Sequence, residues 1–134
     1  MRYLLDTGLA GAFLNARDGV LERVFEAQQR GDVIGICTPV LAELWYGIEN
    51  SANPEANRRR LLYGFKRLKD WPFDPAAARR FGELAAELRR IGRQMQTFDI
   101  QIAAIALELG NCVVVSKDSD LKAVPGLKVE DWSR

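Results

Sequence analysis

Short apolar runs alternate along this chain with longer stretches in which apolar residues recur every third or fourth position. Residues 2–5 (Arg-Tyr-Leu-Leu) read as a short buried strand that stops at Asp6, and Val33 to Cys37 reads as a second. Leu9 to Asn15 and Val20 to Arg30 are helical in period, the latter closed by Gly31. Thr38 is placed to cap a third helix, with Pro39 in its first turn and Leu41, Leu44, Trp45 and Ile48 along one side. Asn53-Pro54 opens a fourth, with Leu61, Leu62, Phe65 and Leu68 facing inward. The pattern breaks at Trp71-Pro72-Phe73, and a fifth helix is striped by Phe81, Leu84, Ala85, Leu88 and Ile91. Thr97 starts a helix that is apolar almost all round from Ile100 to Leu109 and ends at Gly110, so it is expected to be buried. Val113 to Val115 is a buried strand, and Leu127 to Val129 has the makings of a short edge strand. Strands alternating with helices imply an α/β domain with a short, mainly parallel central sheet flanked by helices.

That topology decides where the carboxylates go. In a parallel sheet with helical crossovers, each helix begins near the carboxyl edge of the sheet. Asp6 ends the first strand, Glu43 lies in the second turn after the second strand, and Asp99 is in the first turn of the helix leading to Val113. Asp118 and Asp120 follow that last strand directly. Each has an ordinary explanation alone: Asp6 as a helix cap, Asp99 as a dipole partner, Asp118 and Asp120 as turn residues, Glu43 as an exposed helix glutamate. Together they place four or five carboxylates at the crevice where open α/β sheets bind ligands. Like charges gathered there repel unless a cation neutralises them. Gly47, one turn beyond Glu43, costs a helix about 1 kcal/mol relative to alanine, which suggests that something approaches that face closely.

Composition sharpens this. The 134 residues are 48% apolar and 28% charged, the balance of a single globular domain over 1–134. No histidine is present, so Ser-His-Asp and Cys-His systems and His-ligated zinc are excluded and carboxylates must carry any chemistry. Cys37 and Cys112 stand far apart without paired spacing, as in a reducing compartment. Asp6 interrupts the first apolar run, so it does not read as a signal peptide. No run approaches the roughly 18 apolar residues of a membrane span, and a cytoplasmic location is expected. The net charge of +1 conceals a division: residues 58–93 hold eleven Lys/Arg against four Asp/Glu, and the remainder eight against fourteen. A basic lobe of +7 beside an acidic remainder of −6 suits a polyanion, although spacings such as Arg79–Glu83 also fit ordinary helix ion pairs.

Leu4-Leu5-Asp6-Thr7, Glu43-Leu44 with Gly47, Asp99 with Ile102-Ala103-Ala104, and Val115-Ser116-Lys117-Asp118 occur in an order that resembles the PIN-domain ribonucleases. Pro125-Gly126-Leu127 through Asp131-Trp132 resembles the tail of VapC-type toxins of bacterial toxin–antitoxin pairs. The resemblance implies a PIN-like three-layer fold and a Mg²⁺- or Mn²⁺-dependent endoribonuclease, usually a homodimer, restrained by a VapB-type antitoxin. By motif match Asp6, Glu43, Asp99 and Asp118 would be the catalytic and metal-binding quartet, with Thr7, Ser116 and Asp120 as accessories. The family commonly has Asn or Ser where Gly8 stands here, so one side-chain hydrogen bond is missing or supplied by water. Arg58, Arg59, Arg60, Lys66 and Arg67 on one helix, with Arg89, Arg90 and Arg93 on another, would track an RNA backbone.

Three rivals draw on parts of the same pattern. Leu-Leu-Asp-Thr-Gly is also the signature of retroviral-type aspartic proteases, but that fold is almost all β. A phospho-acceptor domain would pair acidic residues after the first strand, where only Asp6 stands. A catalytically weak PIN-fold nucleic-acid-binding or interaction module is the third, against which the full acidic set argues.

Overall fold

Leu4 and Leu5 in one strand and Val113, Val114 and Val115 in another are buried, as strands covered on both faces must be. They sit at the centre of a five-stranded sheet. In chain order the elements are β1 (Arg2–Leu5), α1 (Thr7–Leu14), α2 (Val20–Gln29), β2 (Val33–Cys37), α3 (Thr38–Glu49), α4 (Pro54–Phe65), β3 (Lys69–Trp71), α5 (Pro75–Arg90), α6 (Thr97–Leu109), β4 (Cys112–Val115), α7 (Ser119–Lys122) and β5 (Lys128–Glu130). The structure, a computed structural model, describes residues 1–133. The sheet order is β3-β2-β1-β4-β5, and all four pairings are parallel. Right-handed crossovers then put α1–α4 on one face and α5–α7 on the other, a three-layer α/β arrangement. Among the described residues no helix is long and apolar enough to cross a membrane.

Local chemistry explains most element boundaries. Asp6, Asn53 and Asp74 cap α1, α4 and α5, their side-chain oxygens accepting from Leu9, Ala56 and Ala77 N–H at 2.9, 3.4 and 2.9 Å. Proline occupies the first turn of α3, α4 and α5. Helix α6 is buried at Ile100 and from Ile102 to Ala106, as its all-round apolar sequence demands. Its C-terminus meets Arg2, whose Nη1 donates to the Gly110 carbonyl at 2.9 Å. The C-terminal stretch closes on β1. Trp132 is 2% exposed, lies 4.9 Å from the Tyr3 ring, carries Arg23 at 5.2 Å over its face, and donates to Glu130 at 2.9 Å.

Several expectations change. Residues 69–71 form β3, a strand that periodicity does not reveal because Lys69 and Asp70 are exposed and only Trp71 is buried. Thr38 opens α3 without capping it, and its hydroxyl instead approaches the Trp71 carbonyl at 3.5 Å. Leu62 and Ile91 are 52% and 60% exposed, so the inward stripes of α4 and α5 are narrower than their apolar residues suggest. Residues 119–122 form a further short helix, α7, where the sequence pattern predicts no element.

Strand β3 is held by a glycine. A Cβ at Gly35 would stand 2.5 Å from the Lys69 carbonyl oxygen and 2.8 Å from the Trp71 ring. Gly35→Ala is therefore expected to lose about 1–3 kcal/mol in equilibrium denaturation, the usual cost of overpacking. An unchanged denaturant midpoint would show that β3 can shift freely.

Candidate active site

The sheet order reverses direction between β1 and β4, which makes the crevice beyond their carboxyl ends the expected ligand site. The register pairs Leu5 with Val115, and the Asp6 N–H donates to the Val115 carbonyl at 3.0 Å. Asp6 and Ser116 therefore emerge side by side. Ser116 is fully buried, and its hydroxyl accepts from the Asp118 N–H at 2.9 Å, turning the chain so that Asp118 stands at the same edge. The Asp118 carboxylate in turn accepts from the Asp120 N–H at 2.9 Å and caps α7. Asp99 arrives from the first turn of α6, and Glu43 from the exposed side of α3.

Electrostatics show that these groups feel one another. Burial, then the charges of Asp118, Asp6, Asp120 and Glu43, push the Asp99 carboxyl up to about 6. Burial also raises Asp6. Hydrogen bonds from the Ser116 hydroxyl and the Leu9 N–H oppose that rise, while Asp118 and Glu43 add to it. The other four carboxylates expected at the site thus all act on Asp99, and two of them on Asp6. Asp120 differs from the rest because it already holds Arg93, with Nη2 to Oδ1 at 2.8 Å. Asp6 serves as helix cap and acidic-edge residue at once: its Oδ1 accepts from Leu9 N–H.

The accessory and basic residues divide. Thr7 Oγ1 is buried and has no hydrogen-bond partner. A Cβ at Gly8 would lie 3.7 Å from Asp6 Oδ1, so a side chain at this position would sit in ordinary contact with that carboxylate. Arg58 is occupied by Glu49 and Glu55 at 3.3 and 3.9 Å, and Arg67 stacks 5.3 and 5.5 Å from the Phe25 and Tyr63 rings. Among the described residues Arg60 bonds only to neutral amides, donating to Asn57 and Asn15. Arg59, Lys66, Arg89 and Arg90 are exposed and form no ion pair among the described residues. Neither asparagine carries a motif that marks it in the sequence; only packing of α1 against α4 brings both to one guanidinium.

A PIN domain model matches residues 3–127. The chain belongs to the PIN-domain family. It is 34% identical over 134 residues to the tRNA(fMet)-specific endonuclease VapC of Shigella flexneri, covering 99% of both chains. It is 29% identical to Ribonuclease VapC2 of Rickettsia felis over the full length of each. In three dimensions it matches a chain in the crystal structure of VapBC2 from Rickettsia felis bound to a promoter DNA fragment, with a TM-score of 0.90, 30% identity and 99% and 100% coverage. A chain of DNA-bound VapBC from Salmonella typhimurium follows at 0.88, with 31% identity and 98% of each chain covered.

In this PIN domain the donor set fits a hard cation in chemistry. It offers only carboxylate and hydroxyl oxygens, and its mutual repulsion is uncompensated except at Asp120. It is open in geometry: among the described residues no three His, Cys, Asp or Glu side chains close into a ready-made cage. Thiol chemistry offers no alternative, since burial pushes Cys37 up to about 12 and Cys112 to about 11 and keeps both protonated.

The raised Asp99 fixes the sign of a pH effect. Its folded state holds the proton more tightly than the unfolded chain does. The stability this gives is complete below the ordinary value of 3.8 and is lost as pH rises through about 6. Asp99→Asn should therefore raise the thermal midpoint of the chelator-treated PIN domain above about pH 6, with the gap closing toward 3.8. Melting curves across pH check this, and a gap independent of pH would show that Asp99 is not crowded.

Proposed function

We propose that this PIN domain, a single domain over residues 1–134, is a divalent-metal-dependent endoribonuclease, the toxin of a cytoplasmic toxin–antitoxin pair. The observation that carries the reading is the gathering of Asp6, Glu43, Asp99 and Asp118 at the crevice between β1 and β4, in a chain similar to VapC ribonucleases over its whole length.

Asp6, Asp99, Glu43 and Asp118 would hold Mg²⁺ or Mn²⁺, with Asp6 and Asp99 the firmest ligands. Such an ion supplies Lewis acidity and lowers the pKa of a bound water. The chain's own part is positional. Ser116 fixes Asp118 through its backbone N–H, and the β1–β4 register fixes Asp6 beside it. Hydrolysis adds a water oxygen to phosphorus and breaks the bond to O3′, leaving a 5′-phosphate and a 3′-hydroxyl that takes the proton. Without histidine the route through the 2′-hydroxyl lacks its usual acid and base. Arg59, Lys66, Arg89 and Arg90, which have no carboxylate partner among the described residues, would hold the RNA backbone, and Arg60, Arg67 and Arg93 would also face the RNA. Arg58, bound to two glutamates, contributes less.

The partner would be a VapB-type antitoxin, as in the VapBC structures this chain resembles. An apolar groove of about 300 Å³ between α1, α2 and α4, with Phe13, Leu21, Phe25 and Tyr63 in its walls, suits a short amphipathic segment. Exposed Tyr46 and Leu62 on α3 and α4 are available to a homodimer interface.

Purified protein should cut total RNA into discrete fragments with 5′-phosphate ends in Mg²⁺ or Mn²⁺, and not in excess chelator. Asp6→Asn and Asp99→Asn should each lower cleavage at least about a hundredfold while keeping the fold. Full activity in either variant, or chelator-resistant cleavage, would sink the site. Arg89→Ala with Arg90→Ala should also reduce the slope of log affinity against log salt by roughly 0.7 per lost phosphate contact on single-stranded RNA. An unchanged slope would remove that helix from the RNA path.

A further inference from the structure

A second cleft, of about 220 Å³, opens between α1, α3 and α4 beside Thr7 and Glu43. Its lining is partly bare backbone, at Gly11 in α1 and Gly47 in α3. A Cβ at Gly47 would meet nothing within 4 Å. Leu14, Leu44 and Ile48 give it an apolar wall, while Glu43, Asn15, Asn57 and Arg60 form its polar side.

At its rim stands Arg60, held in an unusual way. Its Nη1 donates to Asn57 Oδ1 at 2.9 Å and to Asn15 Oδ1 at 3.4 Å. Both amides are themselves anchored. Asn57 Nδ2 donates to Ser51 Oγ at 2.9 Å, Ser51 Oγ donates to the Ile48 carbonyl at 2.7 Å, and Asn15 Nδ2 donates to the Gly11 carbonyl at 2.9 Å. A chain of bonds across three helices thus fixes one guanidinium while leaving its charge uncompensated. Among the described residues Arg60 has no carboxylate partner, and its Nε and Nη2 donate to nothing. The same cleft is lined by Thr7, whose buried Oγ1 has no partner either.

We propose that this cleft seats one nucleobase of the RNA next to the cleaved phosphodiester, with the free edge of Arg60 reading it and guanine preferred. The substrate class rests on the ribonuclease reading; the base preference rests on the cleft. A planar base suits an apolar wall over a glycine-lined floor, where a phosphate would gain charge pairing but no apolar contact. An arginine fork only donates, so it is best matched by two adjacent acceptors. Guanine offers O6 and N7, whereas adenine offers N7 beside an amino donor.

The test is binding in excess chelator, where no metal-dependent cleavage can occur, using labelled short oligouridines that carry one central guanosine or adenosine. Wild-type protein should bind the guanosine oligomer at least about fivefold tighter, the worth of one good hydrogen bond. Gly47→Leu fills the cleft at a position with open space and should melt no lower than wild type, yet it should abolish the discrimination, as should Arg60→Ala. Gly82→Ala, at an exposed helix glycine with equal open space and remote from the cleft, should leave it intact. Equal binding of the two oligomers by wild type, or discrimination that survives Gly47→Leu, overturns the proposal. So does a Gly47→Leu protein that binds RNA normally but loses affinity for an antitoxin peptide, which would assign the cleft to protein. The two readings fail separately: guanosine-selective binding without any metal-dependent cleavage removes the nuclease, and normal cleavage without base selectivity removes only the cleft.

Discussion

Everything at the carboxyl edge of the sheet depends on the pairing of β1 with β4. These neighbours in space are separated by most of the chain, and their register sets Leu5 against Val115. The next residue of each strand, Asp6 and Ser116, is then brought to one point. The pairing must be strong because what it assembles is unfavourable: carboxylates that raise one another's affinity for protons. Leu4, Leu5, Val113, Val114 and Val115 are all essentially removed from water. At roughly 1.5–3 kcal/mol for each fully buried side chain, an upper figure for a real unfolded state, their burial outweighs a crowded edge. The apolar centre of the sheet is what allows the acidic edge to exist.

The edge is not uniformly acidic, and the exceptions organise it. Arg93, on the segment joining α5 to α6, reaches Asp120 at 2.8 Å, and Lys117 stands 3.8 Å from Asp18. The first pair ties the approach to α6 to the start of α7. It leaves Asp120 committed to a cation, while Asp6, Asp99, Asp118 and Glu43 have none among the described residues. The division of charge along the sequence is therefore only partly a division in space. Arg58, Arg80 and Arg93 of the basic segment pair with carboxylates outside it, and other cations on α4 and α5 remain open to solvent.

Where the sequence could be read, the reason was local. Val33–Cys37 and the helix from Thr97 carry their patterns in full, because every residue needed to define them is adjacent in the chain. Asp6, Asp99 and Asp118 follow from those elements through the rule that parallel strands share a carboxyl edge. Strand β3 was not legible. Lys69 and Asp70 are exposed, and what makes them a strand is Gly35, some thirty positions away, whose missing side chain lets the backbone of Lys69 and the ring of Trp71 close in. Thr38 looked like a cap because a threonine before a proline normally is one, but β3 offers its hydroxyl a carbonyl instead. Leu62 and Ile91 fit helical stripes by spacing and still face solvent, since spacing gives a face and not the width of the surface opposite. The Arg93–Asp120 pair spans 27 positions and has no signature at either end.

The cationic side of the crevice has a different origin from the acidic side. Helix α4 lies so close to α1 that a Cβ on Gly64 would collide with the Leu14 side chain. Gly64 and Arg60 are one turn apart on α4 and so share a face. The approach that seats Gly64 against Leu14 also carries Arg60 to Asn15, the residue that follows Leu14 at the end of α1. Carboxylates are thus placed by strand register and the guanidinium by helix packing. The two constraints meet at α1, whose N-cap is Asp6 and whose C-cap is Asn15. A helix of eight residues therefore sets the span between Asp6 at the acidic edge and the arginine held at Asn15.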